Sequence, residues 1–127
     1  MEAKTTTTAE ANRQLVVGAI EAAMAGDMDG FTEALHPEVE VHEPDYLPYA
    51  GVYRGKDGFM ELFGKATAVL DFPTLTVVSA TGDEDRAILL MTCKLLSNGE
   101  ERHITEHWEI EDGLVRRVRV FWFGLPE

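Results

Sequence analysis

The chain has 127 residues, 45% of them hydrophobic and 27% charged. That length suits a single domain able to bury roughly two-thirds of the surface its unfolded chain exposes, and it argues against a disordered chain. With 11 Lys and Arg against 23 Asp and Glu the net charge is −12, a field that favours solubility and repels nucleic-acid phosphates and anionic membranes. Neither nucleic acid nor membrane is expected as a partner. The single cysteine, Cys93, allows no intrachain disulfide and lies in the apolar run from Ala87 to Leu96, where a thiol usually acts as a small buried hydrophobe. No basic start precedes an apolar segment of signal-peptide length, so a cytoplasmic protein is expected.

Residues 1–8, with the polar run Thr5 to Thr8, read as a flexible tail, and 9–127 as one domain. From Ala9 the pattern is helical: Val16, Ile20 and Met24 recur every four residues with Ala19 and Ala23 beside them. Gly26 is placed to end that helix and Asp27 to cap a short second one carrying Phe31, Ala34 and Leu35, which stops at His36-Pro37. Glu38 to Glu43 alternates as a strand, with Val39 and Val41 on one face and Glu40 and His42 on the other. A loop with Pro44, Pro48, Gly51 and Gly55 follows, and Tyr46, Tyr49 and Tyr53 are spaced through it. Asp57 is placed to cap a third helix whose apolar face is Phe59, Leu62, Phe63, Ala66 and Leu70.

Beyond Pro73 the helical period disappears. Leu75 to Ala80, Arg86 to Leu96, Arg102 to Ile110 and Leu114 to Phe123 read as strands. They are separated by turns at Gly82-Asp83, Asn98-Gly99 and Asp112-Gly113. The order predicts an α+β domain in which helices pack on one face of a curved antiparallel sheet.

Two charges fall on apolar phases. Glu43 shares the face of Val39 and Val41, and Glu106 lies between Ile104 and Trp108 on its own strand. Carboxyls aimed into an aromatic interior have their pKa values raised, which is the condition for general acid or base work. Glu43, at a strand end, can equally reach water, and a buried Glu106 can equally pair with Arg102 or an arginine of the last strand. The aromatics Tyr46, Tyr49, Tyr53, Phe59, Phe63, Trp108 and Trp122 are candidates for the wall of an apolar small-molecule pocket, and equally for plain core.

A metal site is not expected. His103 and His107 lie four apart on the strand phase opposite Glu106, about 13 Å from each other along one face, too far to share an ion. No nucleophile elbow or phosphate-binding glycine loop occurs, and no cofactor is expected.

The runs AGDMDGF (25–31), HPEVEVHEP (36–44) and YAGVYRGKDG (49–58) resemble the nuclear transport factor 2-like superfamily, in its SnoaL-like and ketosteroid-isomerase-like group. The resemblance spans Asn12 to Gly124. It implies a cone, in which a strongly bent sheet wraps the N-terminal helices around a deep apolar pocket. It also implies a homodimer through the outer sheet face, in keeping with apolar residues on both faces of Leu89 to Leu96 and with Phe121 and Phe123 opposite Trp122.

By the same resemblance Glu43, before Pro44, takes the place of the general base of the steroid isomerases. Glu106, before His107-Trp108, takes that of their protonated oxyanion-hole acid. Their helix-one tyrosine is replaced by Ala19, and Tyr46, Tyr49 and Tyr53 are the loop residues available to stand in. Cyclase-type and epoxide-hydrolase-type relatives fit less well, because Phe123 and Ile104 occupy positions where those carry an acid and an arginine. The expectation is an isomerase- or lyase-type enzyme moving a proton on an apolar carbonyl compound. The alternative is a non-catalytic ligand-binding or protein-interaction module on the same fold.

Overall fold

The computed structural model describes residues 7–126. The predicted tail up to residue 6 lies outside them, but its last two residues belong to the first helix. Thr7 caps helix α1 (Thr8–Met24), its side chain accepting the Glu10 N–H at 3.2 Å. Val16, Ala19 and Ile20 form the buried stripe of α1. The buried polar residue Asn12 is satisfied at a distance, its Nδ2 donating to the carbonyls of Asp83 and Glu84 at 2.9 and 3.0 Å. This ties α1 to the turn between the third and fourth strands. Gly82 makes that approach possible, because a Cβ there would stand 2.0 Å from the Ala9 carbonyl oxygen. Gly26, at φ +80°, ends the helical path, and Asp27 caps α2 (Met28–Glu33) by accepting from Gly30 N at 3.0 Å.

Strand β1 (Leu35–Glu43) starts ahead of the predicted Glu38 and runs through Pro37. The register with its neighbour breaks between Leu35 and Glu40, so a residue without an N–H costs no regular ladder bond there. A four-residue strand, β2 (Gly51–Arg54), lies inside the predicted loop and pairs antiparallel with Glu40–Glu43. Helix α3 (Gly55–Ala66) opens at Gly55, so Asp57 sits in its first turn and does not cap it. Phe59, Leu62 and Ala66 are its buried face, and Phe31, Phe59 and Phe63 form an aromatic cluster with ring centroids 5.0–5.5 Å apart.

The remaining strands are β3 (Leu70–Gly82), β4 (Arg86–Leu95), β5 (Glu101–Glu111) and β6 (Leu114–Phe123). β3 begins at Leu70 rather than Leu75 and carries Pro73 inside it, which an edge strand tolerates. Two register shifts between β3 and β4 bend it. Asp112 and Gly113, at φ 54° and 75°, turn β5 into β6, the backbone a two-residue hairpin needs.

The six strands form one sheet in the order β2-β1-β6-β5-β4-β3. It is mixed, not purely antiparallel as predicted, because β1 runs parallel to β6. The whole of β2, α3 and β3–β5 separates those two strands, so no hairpin fixes their relative direction. Helix α1 packs over β3 and β4, and α3 over β1 and β2. The core is a continuous cluster running from Val16 and Phe31 through Leu89 and Trp108 to Val115 and Val118. Among the described residues no helix is long and apolar enough to cross a membrane.

Candidate active site

The period of two along a strand sorts the charges of β1. Glu40 and His42 point to the outer face, where Glu40 accepts from His42 at 3.1 Å and from Arg54, and lies 3.5 Å from Arg117. The His42 hydrogen bond, with the two arginines, holds the Glu40 carboxyl below the usual range. Glu109 continues the network to Arg117 and Arg119 at 3.4 and 3.2 Å. Glu43, on the opposite phase, has no such company. It lines a partly open cavity of about 80 Å³.

Glu106 enters the same cavity from β5. It pairs with Val120 across β5 and β6. The parallel register Val41↔Val118, His42↔Arg119 brings Glu43 level with that same Val120 from the other side. The two carboxylates therefore flank one β6 residue, with backbones two strand spacings apart, about 10 Å. The walls around them are Tyr49, Phe59, Phe63, Met91 and Trp122 with aliphatic side chains of α1, α3 and the sheet.

Both acids keep some accessible surface, and both line the cavity. Burial pushes the Glu43 carboxyl up to about 9, with the nearby charge of Glu106 adding to the rise. One of its oxygens, Oε1, is buried and has no hydrogen-bond partner among the described residues. Burial also raises Glu106, to about 7, against a hydrogen bond from Trp108 Nε1 to its Oε1 at 3.1 Å. That donor favours the carboxylate form, so Glu106 ionises before Glu43. Tyr49 has its phenol held neutral by burial and by the two acids.

The predicted aromatic wall divides in two. Tyr49, Phe59, Phe63 and Trp122 line the cavity. Trp108 is fully buried behind it and reaches the site only through its N–H to Glu106. Tyr46 and Tyr53 are outside the wall and hold its loop. The Tyr46 hydroxyl donates to the Trp122 carbonyl and accepts from the Trp122 N–H, both at 3.2 Å. The Tyr53 hydroxyl donates to the Tyr49 carbonyl at 2.8 Å. Ala19 is buried in α1, and Ile20 next to it is the α1 residue that faces the cavity.

Cys93 is buried as predicted, with its thiol pushed up by burial, and it is not part of the cavity wall. His107 stacks edge-on against Phe121 on the outer face, centroids 5.1 Å apart. Among the described residues no three His, Cys, Asp or Glu side chains gather closely enough to hold a metal ion.

Aliphatic cavity residues such as Ile20, Val41, Met91, Ile104, Val118 and Val120 are not marked as such by the sequence. Each falls on an apolar phase, which marks a core position but not one that borders a void.

The fold is shared with solved structures. A nuclear transport factor 2-like protein from Burkholderia xenovorans LB400 is 18% identical, with 91% of each chain covered and a TM-score of 0.74. A protein from Kribbella flavida DSM 17836, provisionally described as a ketosteroid isomerase, is 22% identical over 97% of this chain and 85% of its own, with a TM-score of 0.75. TerC, crystallised with polyporic acid, is 18% identical over 89% of this chain and 92% of its own, also with a TM-score of 0.75. At such identities these likenesses establish the fold alone. A search of curated proteins finds no match. The model of the SnoaL-like domain family matches residues 16–118, most of the chain, and the chain belongs to that family.

Proposed function

We propose that the protein is an isomerase- or lyase-type enzyme that moves a proton on carbon next to the carbonyl of an apolar small molecule. One observation carries the reading: two carboxyls enter a single apolar cavity, and among the described residues only one of them receives an N–H donor. Near neutral pH such a pair holds about one proton in common, one member able to accept a proton while the other donates a hydrogen bond.

Resemblance to the steroid isomerases gives Glu43 the role of base. The hydrogen bonding in this chain supports the opposite division. Glu106, with Trp108 donating to it, is the carboxylate that takes the α-proton. Glu43, kept neutral, donates to the developing enolate oxygen. Tyr49 is the further donor, in place of the hydroxyl that Ala19 cannot supply. Return of the proton from Glu106 to a second carbon completes an isomerisation. Phe59, Phe63 and Trp122 exclude water, which strengthens each of these interactions. The co-crystal of TerC with polyporic acid supports a small molecule as the occupant of this fold.

A homodimer through the outer sheet face belongs to the same proposal. Phe121 and Phe123 are half exposed or more there, and a sheet face bearing such residues is commonly covered.

The test is deuterium wash-in at carbons α to the carbonyl in a panel of apolar enolisable ketones in D₂O, followed by NMR. Wild type should exchange at least one panel member faster than buffer does, and Glu106→Gln should abolish the acceleration. Exchange no faster than buffer across the panel would move the assignment to a non-catalytic binding module.

A further inference from the structure

We propose that the molecule bound between Glu43 and Glu106 has two parts: a small carbonyl-bearing head in the inner cavity, and a larger uncharged hydrocarbon body in a second chamber walled by Met24, Met28 and Met60. The inference rests on the acid-site reading above and extends it to the class of substrate.

Volume is the first reason. The inner cavity, about 80 Å³, is smaller than the roughly 150 Å³ that admits a benzene ring without rearrangement. Sites for whole small molecules run to about 300–1,000 Å³. The second chamber, a groove open to solvent on the side of Met24, Gly64, Thr67 and Pro73, measures about 650 Å³. Ile20, Phe63, Phe72 and Leu75 line both spaces and form the partition between them. Phe63 and Phe72 meet edge to face there, centroids 5.9 Å apart, and a ligand that occupies both spaces passes that pair.

Chemistry of the lining is the second. Among the described residues no charged side chain lines the outer chamber. The Thr67 hydroxyl on its wall already donates to the Gly64 carbonyl at 2.9 Å. A charged or polyhydroxylated body would lose hydration there without gaining partners. Three methionines give a wall that adapts to irregular hydrocarbon shapes.

Gly64 is the third. It stands inside α3, where glycine is disfavoured relative to alanine. Gly58 in the same helix has a packing reason, since a Cβ there would lie 3.2 Å from the Tyr53 backbone. At Gly64 a Cβ meets nothing within 4 Å, and the residue borders the outer chamber. Gly64 is exposed, and its missing side chain widens the open side of that space.

The experiment compares butan-2-one with octan-2-one by protein-observed NMR titration, in wild type, Gly64→Ala, Gly64→Leu and Glu43→Leu, with Thr67→Leu as a second blocking variant on the same wall. The four further methylenes in the outer chamber should tighten binding by roughly 50-fold or more over butan-2-one, at about fourfold per methylene. Gly64→Ala should keep most of that ratio. Gly64→Leu or Thr67→Leu should collapse it to about fivefold or less. A ratio near one in wild type, or one that survives both Gly64→Leu and Thr67→Leu, overturns the outer chamber, while butan-2-one binding that weakens in Glu43→Leu leaves the acid site standing. A ratio lost in Gly64→Leu and Thr67→Leu, with butan-2-one binding itself unchanged by Glu43→Leu, supports the chamber and overturns the acid-site reading. Absence of binding by both ketones overturns both.

Discussion

Glu43 and Glu106 meet the same β6 residue, Val120, from opposite sides, and both aim into one apolar cavity. Every other acid of β1 and β5 within the arginine network points the other way. The contrast with Glu40, three residues from Glu43, is purely one of phase. Glu40 gains two arginines and a histidine, whereas Glu43 has a buried oxygen without a partner. Alternation along a strand thus produces a low-pKa carboxylate on one face and a neutral acid on the other.

Stability should therefore fall as pH rises. The folded state holds protons on Glu43 and Glu106 that the unfolded chain releases near pH 4.5, so their folded pKa values are raised. Their contribution is fully present below that pH and is lost as pH rises through about 7 for Glu106 and about 9 for Glu43. Glu43→Gln should flatten the curve and raise Tm at pH 9 by on the order of 5 °C, since one kcal/mol moves a domain of this size by roughly 3–5 °C. Thermal melts from pH 5 to 9 check this; parallel curves for the two proteins would count against a buried neutral Glu43.

Trp108→Phe removes the side-chain N–H that donates to Glu106. A hydrogen bond to a charged group is worth about 1.5–3 kcal/mol, and 1.36 kcal/mol is about one pKa unit. Ionisation of Glu106, and with it the acid limb of the exchange rate, should move up by about one pH unit or more. A pH–rate profile read alongside wild type measures the shift.

Tyr49→Phe should lower the exchange rate by about tenfold to a hundredfold, the scale on which losing an oxyanion donor is felt, with little change in Tm. Tyr46→Phe gives up the bridge to Trp122 and should instead cost about 1 kcal/mol of stability. Rates and melts measured on both variants separate a hydroxyl at the site from one that holds its loop.

Gly82→Ala should destabilise by about 2–4 kcal/mol, because the added methyl would occupy the space of the Ala9 carbonyl oxygen. Urea unfolding measures it. A neutral result would mean that α1 does not sit on the β3–β4 turn as described.

The fold was legible where the signal is local. Asp112-Gly113 supplies the two positive φ angles its hairpin needs, and the out-of-phase Glu43 and Glu106 stand out because a strand has a period of two. What stayed hidden depends on partners distant in the chain. β2 is too short to alternate visibly, and its pairing is with residues of β1 on the far side of the loop. The parallel contact of β1 with β6 leaves no mark on either strand. Three tyrosines in one loop looked equivalent, yet only Tyr49 faces the cavity. The proposed division of roles between the two acids rests on which carboxyl receives the Trp108 N–H, a contact that leaves no mark in the sequence.

The central claim is that two carboxyls in one cavity hold their protons to near or above neutral pH, with Glu106 ionising first. It is tested most directly by ¹³C NMR titration of glutamate side-chain carboxyls, assigned through Glu43→Gln and Glu106→Gln. Two resonances titrating well above the others, that of Glu106 near 7 and that of Glu43 higher, are the predicted result. Both resonances titrating between about 4 and 5 with the surface glutamates would contradict it.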